Sequence, residues 1–389
     1  MSVAANLRAS ASFSDSKQHY HLLDGLRGVA ALMVIVYHCF ECFPPDTWII
    51  GHGYLAVDFF FILSGFVIGY AYDDRWKSTG EKRLTTGNFF KRRLIRLHPM
   101  VLFGIIWGTV TFLVQGGIRW DGSHVAISAV MIAMLLHLFF IPEIPGGFGE
   151  VRGNGEMFPL NGPHWSLFFE YIGNILDALF FRRIDRKWLA IVTFAIILPV
   201  YLALFLTDTV GYGNIGVGWT LADMNFWGGL LRMLLPFMTG IVISRYFKPM
   251  AIRGAFWKCS LLVVVFLSLP AFGGERVWIN CLFEAACVIF VFPLIVYMAA
   301  SGTTSTETST LICKFLGDIS YPLYAIHYPT MYLFYHYIGF PATWRTPGET
   351  WPLMVLLVVG NVAMAYIVWK FYDEPLRKWL TKKFVKKIA

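Results

Sequence analysis

Eleven long apolar runs set the terms for this 389-residue chain, at about 22–43, 54–72, 99–117, 125–141, 163–181, 188–206, 229–247, 258–274, 278–300, 319–338 and 351–371. Each lies near the 17–25 residues that a helix needs to cross a bilayer, with 125–141 among the shortest. Charged residues make up 14% of the chain and hydrophobic residues 57%, where a soluble domain carries about 25% charged. No polar linker is long enough to divide the sequence, so it reads as a single all-α polytopic bundle in a lipid bilayer. The net charge of +8 comes mostly from Lys and Arg in short loops and the tail, which is a topology signal. No basic helix interleaves with exposed aromatics, so nucleic acid is not an expected partner.

The basic loops fix a parity. The segment from Asp73 to Arg96 carries Arg75, Lys77, Lys82, Arg83, Lys91, Arg92, Arg93 and Arg96, and should be cytoplasmic. The same holds for Arg182–Lys187, for Arg245–Lys258 and for the C-terminal lysines. Three crossings between Arg96 and Arg182 would place the second group outside, so one run must not cross. The short 125–141 run, ending at Pro142, is the best candidate for a re-entrant or interfacial piece. About ten transmembrane helices then remain, with both termini cytoplasmic. Residues 1–20, polar and rich in Ser and Ala, are expected to be a disordered cytoplasmic tail. The integral domain is expected over 21–380, and a basic cytoplasmic tail over 381–389.

This topology gathers chemistry. Arg27 and His38 are eleven residues apart in the first run, about 1,100° of helical turn, so they share one face roughly 16 Å apart. Ionisable residues inside a membrane helix are costly and usually mark a pathway or a reaction. Outward passage of the first span puts His38 near its outer end. Inward passage of the second and fifth brings Asp58 and Glu170 to the same half. Imidazole titrates near neutrality, so His38 is the natural general base, with Glu170 or Asp58 able to orient its other nitrogen. The competing reading is a histidine bonded to a neighbouring carbonyl or to Glu41, one turn on. Arg27 either pairs with Asp24 or faces a polar cavity.

Arg92 and Arg96 share a helix face with Arg93 adjacent, and a guanidinium fork fits phosphate oxygens. Alternatively the group anchors the helix at the cytoplasmic surface. The segment Gly317–Pro329 reads as a helix start, with Ser320 as cap and Pro322 in the first turn. Its Ser320, Tyr324 and His327 fall on one face. Ser64-Gly65 reads as a close-packing site between helices. The six cysteines are scattered, only Cys39 and Cys42 are spaced as Cys-x-x-Cys, and no metal is expected.

Six blocks in order resemble the membrane-bound acyltransferase 3 family. They are Leu23-Asp-Gly-Leu-Arg-Gly-Val-Ala-Ala with Arg27 and His38 at Arg-x10-His spacing, and Gly53-Tyr-Leu-Ala-Val-Asp58 running on through Phe59 to Ile68. Phe90-Lys-Arg-Arg-Leu-Ile-Arg-Leu-His-Pro99 and Trp165-Ser-Leu-Phe-Phe-Glu170 follow. Ile319-Ser-Tyr-Pro-Leu-Tyr-Ala-Ile-His327 and Asp373-Glu-Pro-Leu-Arg377 complete the set. The resemblance implies transfer of an acyl group, usually acetyl from cytoplasmic acetyl-CoA or another short acyl-CoA, to a hydroxyl of a carbohydrate at the outer face. It implies His38 as base with Glu170 beside it and Asp58 in support. Arg92 and Arg96, with Arg93 adjacent, correspond to the family's Arg-x-x-Arg element at the CoA phosphates, with Arg27 along the thioester route. Trp165, Ser166, Tyr324 and His327 are the expected substrate contacts. A bacterial inner (plasma) membrane location and polysaccharide-assembly proteins as partners follow from the same resemblance. The rival class is a transporter or flippase for a glycan or lipid, against which stands the lack of an evident inverted repeat.

Overall fold

A computed structural model describes residues 21–80, 83–304 and 306–385. The expected tail 1–20 and the last four residues of 381–389 lie outside the described residues. Twelve helices account for most of what is described, and the strand content is one two-residue parallel pairing of Ile252–Arg253 with Gly302–Thr303. In chain order the helices are α1 His21–Phe40, α2 Ala56–Lys77, α3 Thr86–Val114, α4 Ile127–Leu138, α5 His164–Leu179 and α6 Arg186–Leu206. They continue as α7 Asn225–Tyr246, α8 Ala255–Ser268, α9 Val277–Ala300, α10 Glu307–Ile326, α11 Tyr328–Ile338 and α12 Pro347–Phe384.

Seven of these (α1, α2, α3, α6, α7, α9 and α12) are long and apolar enough to cross a membrane. The chain is a multi-pass membrane protein. Helix α4 has 12 residues, about 18 Å of rise, against the ~30 Å hydrocarbon core.

Two boundaries differ from the sequence reading. Helix α3 starts at Thr86, well before the apolar run, because the Thr85 side chain accepts the Asn88 N–H and caps it there. The Arg92–Arg96 group is therefore helical. Ser320 and Pro322 do not begin a helix; they lie inside α10, which starts at a capping box built by Thr306 and Ser309. The polar first turns extend each helix ahead of its apolar run. A break at His327 then separates α10 from α11.

Two parallel helix pairs organise the bundle. Helix α1 runs beside α10 in the same direction: Gly25 meets Cys313, Gly28 meets the Leu316 carbonyl, and His38 stacks on His327. A Cβ at Gly28 would overlap that carbonyl, so only glycine permits this approach. Helices α2 and α7 are likewise parallel. Asp58 pairs with Arg232 at one end (2.6 Å) and Asp73 with Arg245 at the other (2.6 Å). Between these ion pairs Gly65 sits on the Phe237 carbonyl and Gly240 on the Ile62 carbonyl. The sequence reading of Ser64-Gly65 as a packing site matches this contact.

Candidate active site

Arg27 and His38 lie on α1 beside its contact with α10, and His38 touches His327 at the end of that helix. Around them lie two cavities, one at each residue.

The larger cavity, about 650 Å³, includes His38. The imidazole is 14% exposed, and its Nδ1 lies 2.8 Å from Glu41 Oε1. That contact is short but bent, and Nδ1 makes no well-aligned hydrogen bond. One face of the ring stacks on His327, at 5.3 Å between centroids, and Tyr328 approaches edge-on at 4.7 Å. His327 Nδ1 lies 2.8 Å from the Tyr324 carbonyl and 3.2 Å from that of Leu323. A carbonyl only accepts, so Nδ1 carries the proton and Nε2 is left as a buried lone pair without a partner. Glu41 Oε1 accepts from the Tyr328 hydroxyl (3.0 Å) and lies 2.7 Å from that of Tyr335. The Tyr335 hydroxyl is equally close to the His38 carbonyl oxygen, 2.7 Å.

Across the cavity the loop 150–162 supplies Glu156, which accepts from the hydroxyl of Tyr332 and from Asn154 Nδ2. Burial pushes its carboxyl above the ordinary range, against those two donors. Behind it Arg152 is fully buried, its guanidinium 3.7 Å from the centre of the Tyr332 ring and bonded to Gln115 Oε1 at 2.6 Å. Burial lowers its pKa. Trp48, Trp120, Trp165, Trp219 and Phe272 present further aromatic surface to the cavity.

The smaller cavity, about 70 Å³, lies at the Arg27 end and is lined by Arg27, Arg93, Arg96, Glu170, Ser64 and Tyr321, among others. Arg27 does both things expected of it: it pairs with Asp24 at 2.7 Å and lines the cavity. Arg93 Nη2 reaches Glu170 Oε1 at 2.7 Å, and Ser64 Oγ donates to the same oxygen at 2.8 Å. Arg93 Nε remains buried without a partner, and Arg96 is exposed at the rim. Arg92 does not line this cavity.

The two cavities meet at Val57 and Tyr324, which line both. The Tyr324 hydroxyl lies 2.7 Å from Ser166 Oγ, and its ring packs edge-on against Phe60. Consecutive residues of α5 border different cavities: Trp165 lines the larger and Ser166 the smaller. Of the residues named from sequence as substrate contacts, Trp165, Ser166 and Tyr324 line the cavities, whereas His327 lines neither and is buried beneath His38.

Asp58 and Glu170 do not contact His38. Asp58 is held bidentately by Arg232 (3.2 and 2.6 Å), with Arg232 also bonded to the Val217 and Tyr54 carbonyls and lying 5.2 Å from the Trp165 ring. Glu170 belongs to the arginine cavity. The carboxylate at His38 is Glu41, which sequence reading had weighed only as a structural partner. Arg232 was missed, although an arginine three residues into the 229–247 apolar run was a signal in plain view. Tyr328 and Tyr335, seven residues apart and so on one helix face, were a weaker one. Among the described residues no group of His, Cys, Asp or Glu could hold a metal, and all six cysteines are buried and free.

A family model described as "Acyltransferase domain" matches residues 20–370. The chain is 34% identical to Protein 2 in the picA locus of Rhizobium radiobacter, over 48% of this chain and 97% of that one. It is 26% identical to acyltransferase MdmB of Streptomyces mycarofaciens, covering 88% of this chain and 87% of that protein. With O-acetyltransferase OatA of Staphylococcus aureus the identity is 24% over 93% of this chain, which spans 58% of the length of OatA. No solved structure matches.

Proposed function

The chain belongs to the acyltransferase domain family, and on that premise we propose that it moves an acetyl or other short acyl group from acyl-CoA to a hydroxyl of a carbohydrate acceptor. The observation that carries the reading is the pair of abutting cavities, one lined by arginines and one holding an imidazole, with only Val57 and Tyr324 shared between them. Arg93 and Arg96, with Arg92 on the same helix, suit the phosphates of the donor, and the unpartnered Arg93 Nε leaves a hydrogen-bond donor free for them. Arg27 lines the way toward Tyr324. Glu170 and Asp58 enter through the arginines they fix, Arg93 and Arg232.

In the larger cavity His38 takes the proton of the acceptor hydroxyl as its oxygen bonds to the thioester carbonyl carbon. It then returns that proton to the sulfur as the C–S bond breaks, leaving an ester and a free thiol. The aromatic walls, with Glu156 and Asn154 beside them, suit the apolar faces and hydroxyls of a sugar ring. The relatives named O-acetyltransferase and acyltransferase support the reaction class.

The reading extends to topology. Two crossing helices can be parallel only if an odd number of crossings lies between them, whereas eight helices lie between α1 and α10 and four between α2 and α7. Both parallel pairs, α1 with α10 and α2 with α7, support one non-crossing segment, and the second pair confines it to the chain between α2 and α7. The 12-residue α4 is the short candidate there. Ten crossings, both termini cytoplasmic, an integral domain over 21–380 between cytoplasmic tails, and residence in a bacterial inner membrane complete the proposal.

The test is thiol release from acetyl-CoA by the purified full-length chain, with a panel of methyl hexosides as acceptors. His38→Ala should lower turnover by about two to four orders of magnitude. Full turnover in that variant at normal protein levels overturns the mechanism.

A further inference from the structure

We propose that Glu41 is the positioning residue for His38: it fixes the ring's orientation and keeps the proton on Nδ1, so that Nε2 presents its lone pair to the larger cavity. The inference rests on the reading of His38 as the base. Four observations carry it. Glu41 follows His38 by three residues, just past the end of α1, so the chain returns the carboxylate to the ring edge at 2.8 Å. The carboxylate is itself anchored, since Tyr328 and Tyr335 both bring their hydroxyls to Oε1. Tyr335 also reaches the His38 carbonyl oxygen, tying the backbone at the ring to the same phenol. Finally, the other carboxylates proposed for this role are committed elsewhere, Glu170 to Arg93 and Asp58 to Arg232.

The chemistry follows from what each atom can do. An ionised carboxylate only accepts, so it favours the imidazole tautomer that carries hydrogen on the facing nitrogen. It also stabilises the imidazolium formed when the acceptor proton is taken, as the third member of a Ser-His-Asp triad does. His327 stacks on the ring face and limits tilting, while its own Nδ1 proton is engaged by backbone carbonyls. The bent Nδ1 contact is usual for catalytic hydrogen bonds before substrate tightens them.

The decisive readout needs no acceptor. In full-length protein labelled with 15N-histidine and reconstituted in lipid nanodiscs, the His38 ring resonances are assigned by difference from H38Q. Wild type should show a protonated Nδ1 and a bare Nε2, and E41A should show both tautomers in exchange. Turnover with acetyl-CoA, first with water as acceptor and then with methyl hexosides, should fall in E41A by about one to two orders of magnitude, while KM for acetyl-CoA stays within about twofold. Y335F and Y328F keep the fold's shape and remove one hydroxyl each; they should shift the same resonances by smaller amounts and in the same direction. His38 resonances identical in wild type, E41A and Y335F overturn the proposal, and so does an unchanged kcat in E41A. A fully active H38A would instead sink the base itself, a result the nitrogen spectra do not depend on.

Discussion

Asp58→Asn isolates the role of one buried ion pair. Asp58 is 0% and Arg232 1% exposed, and two of the four contacts of the guanidinium go to this carboxylate. The amide keeps the shape and removes the charge, leaving a buried guanidinium with neutral acceptors alone: the amide oxygen and the Val217 and Tyr54 carbonyls. Breaking a buried pair on one side costs about 3–5 kcal/mol, because an uncompensated charge stays behind. Removing both charges in D58N/R232Q should recover at least half of that loss, since the desolvation penalty goes with them. The assay is unfolding in mixed micelles, followed by tryptophan fluorescence, for wild type, both single variants and the double variant. A D58N protein within about 1 kcal/mol of wild type but without turnover would refute the argument. Asp58 would then act in the chemistry and not through Arg232.

Gly65→Ala places a methyl against the Phe237 carbonyl and should cost about 1–3 kcal/mol by forcing α2 from α7, read in the same unfolding assay. Tyr324→Ala opens the wall between the cavities, so acetyl-CoA hydrolysis without acceptor should rise relative to transfer. Tyr324→Phe loses only the hydroxyl and its contacts with Ser166 and the Pro163 carbonyl, about 1 kcal/mol, and should leave that ratio unchanged. Burial raises the Glu156 carboxyl, so the folded state holds that proton more tightly than the unfolded chain. Its contribution to stability is therefore full below the ordinary glutamate pKa of about 4.3 and declines as pH rises toward the raised folded value. E156Q should flatten that decline in a melting-temperature series against pH.

Membrane residence, the helical class and the acyltransferase relationship were legible in the sequence because each rests on many residues at once. Apolar run length is a physical requirement of the bilayer, and six motif blocks in order leave few alternatives. Arg27, Ser166 and Tyr324 were legible too, as polar groups on otherwise apolar helices, and each lines a cavity. What was not legible is which carboxylate meets which base. Topology drew both Asp58 and Glu170 to His38, but partner choice depends on helix rotation and on where arginines land, and Glu170 lies with Arg93 at the Arg27 end. Arg232, on a helix more than 170 positions away, decides the matter for Asp58. Helix starts failed for a simpler reason: α3 and α10 begin in polar sequence, where capping by Thr85 and Thr306 outweighs the hydrophobic signal.

The α2–α7 pair limits how this molecule can move. An ion pair at each end and two glycine–carbonyl seats between them make sliding by even one turn costly, since every one of these contacts would have to be remade together. The two helices therefore behave as a stator. Any rearrangement that admits a substrate, or lets a thioester past Tyr324, has to be executed by the opposing wall of α5, α10 and α11. That wall is where a break at His327 interrupts the helical rod. Crosslinks within the stator should leave turnover intact, whereas a crosslink from α5 to α10 should arrest it.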